Sequence, residues 1–232
     1  MADETTGRRR NLYGRRRSHR LRPGQQHLMD ELLPSVSVLR DLAPNEPVDV
    51  AALFDAVDDF WLEIGFGGGE HLADLAQAHP QIGFIGCEHY IDGVAKMMAT
   101  IEREELENVR IHPHDARDVL DRLPDGSVGR IYLLYPDPWP KTRHHKRRFV
   151  SAENLSAFAR VLREGGELRI ASDIPDYIRH TLVEMQAQPA FEWLAECRRD
   201  WVEPWEGWKS TRYEEKALRE GRRPCYLRFA RR

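Results

Sequence analysis

One stretch of ten residues decides the fold class: residues 60–69 read FWLEIGFGGG. Its first half is apolar except for Glu63, which is typical of a buried strand. Its second half contains four glycines, which permit a tight turn and let a ligand approach the backbone closely. A strand, a glycine-rich turn and a helix expected over residues 70–78 together predict the first unit of an α/β domain.

The alternation of strands and helices continues outward from this stretch. We expect further strands at residues 82–87, 109–112, 129–135, 167–172, 191–197 and 225–230, and helices at residues 25–42, 91–106, 151–162 and 177–188. Pro34 is expected to shorten or kink the first of these helices. The order predicts a mainly parallel, seven-stranded Rossmann-like sheet with helices on both faces. Ligands of such sheets bind beyond the C-terminal ends of the strands.

The composition excludes several classes of protein. The chain has 232 residues, of which 41% are hydrophobic and 31% charged, so it is not a fully disordered chain. We find no apolar run near the roughly 18 residues of a membrane span and no secretory signal at the N-terminus. Cys87, Cys197 and Cys225 are too scattered for a disulfide framework. We therefore expect a reduced, cytoplasmic protein.

The charge is distributed unevenly along the chain. The formal net charge is −3, yet residues 1–22 contain eight arginines and two acidic residues. Residues 141–148 add five cations without an acid, and residues 209–232 carry nine cations against three glutamates. Three basic segments on an otherwise acidic chain predict a site for a polyanion. We expect residues 1–22 to form a disordered basic arm and residues 23–232 a single domain.

Acidic residues stand in or after the first three strands. Glu63 precedes the glycine turn, Glu88 follows the second strand and Asp115 the third. A dinucleotide would favour the spacing G-x-G-x-x-G, whereas these carboxylates suit a cationic ligand such as S-adenosylmethionine. Glu88 is placed to accept hydrogen bonds from ribose hydroxyls, and Asp115 with a neighbouring backbone amide, that of Ala116, to read adenine. A nicotinamide dehydrogenase is the alternative for the turn alone.

The fourth strand is followed by the most distinctive stretch of the chain. Residues 136–141 read PDPWPK, and residues 143–148 read RHHKRR. The prolines restrict the backbone and present Asp137 rigidly. This stretch resembles the signature of the bacterial tRNA (guanine-N7)-methyltransferase family, and the resemblance runs from about residue 10 to the C-terminus. Other segments similar to that family are Arg22–Gln26, Leu62–Gly69, Ala171–Asp173 and Thr211–Glu214.

The resemblance implies a class I methyltransferase that transfers a methyl group from S-adenosylmethionine to N7 of a guanine in the tRNA variable loop. It implies Asp137 as the catalytic residue. The expected cofactor-binding residues are Glu63, Gly65, Gly67, Gly69, Glu88, Asp115, Ala116 and Asp137. The expected substrate-binding residues are Lys141, Arg143, Asp173, Thr211, Arg212, Tyr213 and Glu214. We expect no metal, because His112, His114, His144 and His145 lack ligand partners at suitable spacing. A monomer and a homodimer both stay open.

Guanine N7 carries a lone pair and no proton, so its methylation needs alignment and electrostatics rather than a general base. Asp137 is expected to accept hydrogen bonds from the guanine N1–H and amino group, to contact the cofactor, or to do both. Tyr213 either stacks on a base or packs beside Trp205 and Trp208. The basic arm is expected to fold on tRNA.

Phosphate contacts are expected from the basic stretch after the fourth strand, at Arg143, Lys146, Arg147 and Arg148. Two other functions are weighed. A methyltransferase for small molecules or proteins leaves the basic segments unexplained. A non-catalytic RNA-binding module would not need to keep the acidic set, Glu63, Glu88, Asp115 and Asp137.

Overall fold

The structure, a computed structural model, describes residues 12–14, 16, 20–43, 45–55 and 57–232. Most of the expected basic arm therefore lies outside the described residues. The described part of the arm contacts the rest of the chain, since the carbonyl of Arg16 accepts a hydrogen bond of 2.9 Å from the amide of Ile91. Within the described residues, no helix is long and apolar enough to cross a membrane.

A seven-stranded sheet forms the centre of the molecule. Its strands are β1 (Asp59–Ile64), β2 (Ile82–Cys87), β3 (Val109–His112), β4 (Val128–Leu134), β5 (Leu162–Ser172), β6 (Phe191–Trp193) and β7 (Cys225–Arg231). Their order across the sheet is β3-β2-β1-β4-β5-β7-β6. The first five strands are parallel, and β7 runs antiparallel between β5 and β6. The predicted Rossmann-like fold is confirmed.

Helices are distributed along the whole chain. They are α1 (Pro23–Val36), α2 (Glu70–Ala78), α3 (Ile91–Glu104), α4 (Ala116–Leu120), α5 (Ala152–Val161), α6 (Pro175–Gln186), α7 (Arg199–Val202) and α8 (Arg212–Arg219). Short 3₁₀ helices cover Ala51–Leu53 and Thr142–Arg147. Alternate residues of the strands join two separate apolar clusters, which is the pattern of a sheet with both faces covered. Leu62 and Ile64 belong to one cluster and Trp61 to the other.

Several predicted boundaries were wrong for identifiable reasons. Helix α1 ends at Val36, because the chain becomes extended at Ser37, which forms a parallel bridge to Ile111 of β3. Strand β5 begins at Leu162, before the predicted start at residue 167, and therefore includes Gly165 and Gly166. Its register against β4 shifts at that place, which lets the glycines stay within the strand. Helices α4, α7 and α8 were not predicted.

Candidate active site

A cavity of about 700 Å³ opens at the C-terminal ends of the parallel strands. The neighbouring strands β1 and β4 lead into connections on opposite sides of the sheet, and this switch point is the usual ligand site of the fold. The lining joins the glycine turn at Gly65 and Gly67 with Glu88, Asp115 and Asp137. Residues expected to serve cofactor and substrate thus share one cavity.

The glycine turn is shaped by positive backbone angles. Gly65 and Gly67 have φ values of 74° and 60°, which L side chains rarely adopt. The amide of Gly65 donates to the carbonyl of Cys87 over 2.8 Å, which ties the turn to the end of β2. Helix α3 also packs on the turn so tightly that a Cβ on Gly93 would collide with the carbonyl oxygen of Gly67.

Glu88 holds the turn in place while it faces the cavity. One carboxylate oxygen accepts the amide of Gly67 and the other the amide of Tyr90, both over 2.8 Å. The residue is 7% exposed, so both of these main-chain contacts are largely shielded from water. Carboxylate oxygens accept more than one hydrogen bond each, which leaves acceptor capacity toward the cavity.

Asp115 has a comparable arrangement at the start of α4. Its side chain caps the helix by accepting the amide of Arg117 over 3.0 Å. The Arg117 guanidinium holds both carboxylate oxygens over 2.9–3.0 Å through its Nε. Ala116 follows in the cavity lining, so the carboxylate and the next backbone lie side by side as predicted. Between Asp115 and Glu88, burial raises the pKa of the Cys87 thiol, which stays neutral there.

Two of the expected cofactor residues lie outside the cavity lining. Glu63 is 3% exposed, and its carboxylate lies 2.8 Å from Nδ1 of the equally buried His71 on α2. Gly69 forms the N-cap of α2 with a φ of 85°. Both residues therefore support the turn from behind, and direct contact of Glu63 with a ligand stays a prediction.

The stretch around Asp137 is set by an unusual backbone. Tyr135 and Trp139 have φ values of 48° and 43°, in the left-handed region that costs non-glycine residues of order 1–3 kcal/mol. They flank Pro136 and Pro138, whose rings cannot adopt that conformation. Asp137, between the prolines, is exposed and lines the cavity. Strained backbone of this kind concentrates at functional sites.

Arg148 does not have the role that the sequence suggested. Its side chain is 1% exposed, and its Nε donates to the carbonyl of Pro138 over 2.9 Å. Its guanidinium also pairs with Asp176, and this hydrogen bond lowers the pKa of the Asp176 carboxyl. The expectation that Arg148 binds phosphate was wrong, because a buried guanidinium that holds the proline loop is not free to meet an incoming polyanion.

The other cations of the basic stretch remain accessible. Lys141, Arg143 and Lys146 are exposed, and Lys146 and Arg147 line the cavity. The Arg147 guanidinium stacks 5.0 Å from the centroid of the Trp139 ring. Lys141 and Arg143 are exposed and lie outside the cavity lining, in the same basic stretch as Lys146 and Arg147.

The segment 211–214 begins helix α8 and divides into inward and outward residues. Thr211 caps the helix by accepting the amide of Glu214 over 3.2 Å, and both residues are buried. The Glu214 carboxylate accepts Trp208 Nε1 over 2.8 Å and also the hydroxyl of Tyr226. These contacts place Thr211 and Glu214 behind the cavity wall.

Tyr213 and Arg212 face the other way. The Tyr213 ring is 47% exposed and lines the cavity beside Gly67, with the Arg212 guanidinium 4.9 Å from its centroid. Trp205 and Trp208 pack against each other instead, with their ring centroids 4.9 Å apart. Asp173 pairs with Arg222 and lies outside the cavity lining.

Among the cavity-lining residues that sequence reasoning missed are Arg117, Leu12 and Tyr13. Arg117 was missed because helix α4, whose N-cap is Asp115, was not predicted. Leu12 and Tyr13 were also missed, because no periodic pattern connects the basic arm with strand ends more than a hundred residues later.

Known proteins are similar to this chain over nearly its whole length. A family model described as a putative methyltransferase matches residues 58–226. The tRNA (guanine-N(7)-)-methyltransferase of Ruegeria sp. (strain TM1040) is 52% identical over 226 residues, which are 96% of this chain and 88% of that protein. The protein of the same name from Paracoccus denitrificans (strain Pd 1222) is 48% identical and covers 97% of this chain and 96% of its own length.

Solved structures agree on the fold. The 16S rRNA methyltransferase KamB aligns with a TM-score of 0.58 and 19% identity, covering 85% of this chain and 99% of its own. The resemblance inferred from the proline–basic stretch and the glycine turn is confirmed by the relatives of about 50% identity. These relatives, together with the fold and the cavity, show that the chain belongs to the tRNA (guanine-N(7)-)-methyltransferase family.

Proposed function

We propose that this chain methylates N7 of a guanine in the variable loop of tRNA, with S-adenosylmethionine as methyl donor, through the cavity described above. One observation carries the proposal: the buried acceptors Glu88 and Asp115 open into the same cavity as Asp137. Exposed cations of the basic stretch lie at its mouth. A methyltransferase for small molecules would not need those cations.

The cofactor residues fit the chemistry of S-adenosylmethionine. Glu88 offers acceptors for ribose hydroxyls, and Asp115 with the Ala116 backbone offers an acceptor and a donor for adenine. Gly65 and Gly67 let the ligand approach the backbone, while Glu63 and Gly69 hold the turn that they share. The turn lacks the spacing G-x-G-x-x-G, with which dinucleotide-binding proteins place a pyrophosphate at a helix N-terminus. This agrees with a ligand that has no phosphate.

S-adenosylmethionine, when bound, supplies an electrophilic methyl group. The chain's own residues then need to align a nucleophile that is already competent, because guanine N7 has a lone pair and no proton. Asp137 accepts hydrogen bonds from the guanine N1–H and amino group and thereby orients the ring. The prolines and the two left-handed residues hold Asp137 in position before substrate arrives.

The substrate residues divide by position. Lys141 and Arg143 bind tRNA phosphates from the exposed surface, and Tyr213 and Arg212 meet the RNA at the cavity edge. Thr211, Glu214 and Asp173 act indirectly, since their contacts hold α8 and the adjoining loop. In this arrangement, Thr211, Glu214 and Asp173 support the elements that carry the RNA-contacting side chains.

The proposal extends to organisation and setting. Residues 23–232 act as one methyltransferase domain and residues 1–22 as a basic arm that adds tRNA contacts. The protein works in the cytoplasm, where its tRNA substrate and S-adenosylmethionine are present, as a monomer or homodimer. Cys87, Cys197 and Cys225 are not paired in disulfides, which agrees with that compartment.

The direct test is to incubate the protein with S-adenosylmethionine and unmodified bulk tRNA, digest the RNA and search for 7-methylguanosine by mass spectrometry. A transcript whose variable-loop guanines are replaced by uridine is the matched control for the position. We expect 7-methylguanosine only with the intact loop. A different methylated nucleoside would contradict the guanine-N7 chemistry, and tRNA binding without any methylation would favour the non-catalytic RNA-binding module.

A further inference from the structure

We propose that Tyr13 is an internal mimic of the target base: in the free protein its ring occupies the slot that the guanine enters, and the base displaces it. The inference rests on the proposed function, because it assumes that the slot beside Asp137 receives guanine. It assigns the walls of that slot to Trp139 and Arg147, and a competing role to the N-terminal arm.

The first observation is the set of ring contacts around Tyr13. Its ring lies 6.2 Å from the Trp139 ring with an interplanar angle of 72°. The Arg147 guanidinium lies 4.6 Å from the Tyr13 centroid and 5.0 Å from the Trp139 centroid. The guanidinium lies over both rings, and the two rings meet edge to face, so Trp139 and Arg147 form a corner that holds one planar ring.

The second observation is the path of the arm. The Arg16 carbonyl accepts the amide of Ile91 at the start of α3, which anchors the arm beside the cavity. Gly14 has a φ of 117°, and a Cβ there would lie 2.8 Å from Nε2 of His89 and 3.5 Å from Oδ2 of Asp137. The arm therefore passes directly over the carboxylate that is proposed to orient guanine.

The third observation is that Leu12 and Tyr13 belong to the cavity lining together with Asp137, Trp139 and Arg147. A purine inserted beside Asp137 would need stacking partners, and proteins stack unpaired bases on aromatic rings and arginine planes. Trp139 and Arg147 are such partners within reach of the site. Two rings cannot occupy one slot, so Tyr13 must move when a base arrives.

The arm's sequence supplies a reason for the exchange to occur only with RNA. Arginines stand at positions 15, 16 and 17, immediately after the Tyr13-Gly14 pair. Phosphates of an approaching tRNA attract arginines, and that attraction draws the arm away from the slot while the base enters. A small guanine compound has less charge with which to displace the arm, which would favour tRNA over free nucleosides.

The test compares wild-type protein with Tyr13→Ala and Tyr13→Phe, using an unmodified tRNA transcript with variable-loop guanines. A mimic that competes with the base lowers the fraction of protein competent to bind, so its removal should tighten the apparent Kd about fivefold. Tyr13→Phe keeps the ring and should retain the wild-type Kd. The affinity for S-adenosylhomocysteine should be the same in all three proteins, as should the melting temperature.

The transcript with uridine in place of the variable-loop guanines locates the competition. Tyr13→Ala should bring no comparable gain with that RNA, because no purine enters the slot. Unchanged binding of the guanine transcript by Tyr13→Ala would overturn the proposal. Weaker binding would also overturn it, because Tyr13 would then help to hold the tRNA. An equal gain with both transcripts would also overturn it. Failure of the proposed function is separate, since it shows as wild-type protein that forms no 7-methylguanosine.

Discussion

The two ends of the cavity are built by different means. At the cofactor end, Glu88 and Asp115 are buried, and main-chain amides hold their carboxylates at 2.8–3.0 Å. At the tRNA end, Asp137 is exposed between two residues with left-handed backbone, and the loop is held by the buried side chain of Arg148. The first end follows from secondary structure, whereas the second depends on a long side chain that reaches in from elsewhere.

This difference indicates which kind of substitution should disrupt each end of the cavity. At the cofactor end, the main-chain amides stay in position as hydrogen-bond donors as long as the sheet and the helices are formed. The proline loop, in contrast, loses a hydrogen bond to its own backbone if one guanidinium is removed. We therefore expect single substitutions to affect the two ends differently. A substitution at the tRNA end should lower the stability of the fold, and one at the cofactor end should lower the affinity for the ligand.

Arg148→Ala should have the largest effect on the folded state. It removes the donor to the Pro138 carbonyl and the partner of Asp176, and leaves a space at a side chain that is 1% exposed. We expect the free energy of unfolding to fall by about 2 kcal/mol, from the lost hydrogen bond to a charged group and the unpaired acceptor. Urea unfolding measures this change.

Arg143→Ala is the matched control, because Arg143 is exposed in the same basic stretch. Its free energy of unfolding should equal that of the wild type. Equal stabilities of Arg148→Ala and Arg143→Ala would show that Arg148 does not hold the loop, and the comparison between the two ends would lose its basis.

Glu88→Gln should separate the cofactor end from the tRNA end. The amide keeps one acceptor oxygen but brings an NH₂ group opposite the amide of Gly67 or Tyr90, each of which now donates to a carboxylate oxygen. We expect S-adenosylhomocysteine to bind about tenfold more weakly by calorimetry, because a buried donor loses its partner. The Kd for tRNA should not change; a parallel loss of tRNA affinity would mean that the halves are coupled.

Replacement of both Lys141 and Arg143 by alanine should have the smallest effect. Both residues are exposed, and each is expected to neutralise one phosphate. The slope of log Kobs for tRNA against log salt concentration should become shallower by about 1.5. A control pair, Arg40→Ala with Arg103→Ala, removes exposed cations outside the basic segments and should keep the slope. An unchanged slope in the first pair would remove Lys141 and Arg143 from the interface.

The sequence predicted the cofactor end better than the tRNA end for a physical reason. Residues that follow parallel strands meet at one edge of the sheet, so Glu88 and Asp115 could be placed in one cavity from strand spacing alone. Glu63 lies inside β1, before the end of the strand, and pairs with His71, which the strand pattern does not show. The contact depends on packing between β1 and α2.

Prediction of the tRNA end would have required knowing which charged side chains are buried. Arg143 and Arg148 occur in the same basic stretch, yet one is exposed and the other holds Pro138 and Asp176. Likewise, Glu214 is buried against Trp208 and Tyr226, while the adjacent Tyr213 faces the cavity. Composition could not separate them, because α8 and its orientation arise from tertiary packing.

Asp137→Ala gives the most direct test of the central claim that the two ends of the cavity work as separate units. Methyl transfer to tRNA and S-adenosylhomocysteine affinity are to be measured on the same preparation. If Asp137 orients guanine, the single-turnover rate falls by about a hundredfold or more, since alignment of N7 is lost. The affinity for S-adenosylhomocysteine should stay close to that of the wild type. An equal loss of rate and cofactor affinity would place Asp137 at the cofactor end and contradict the account.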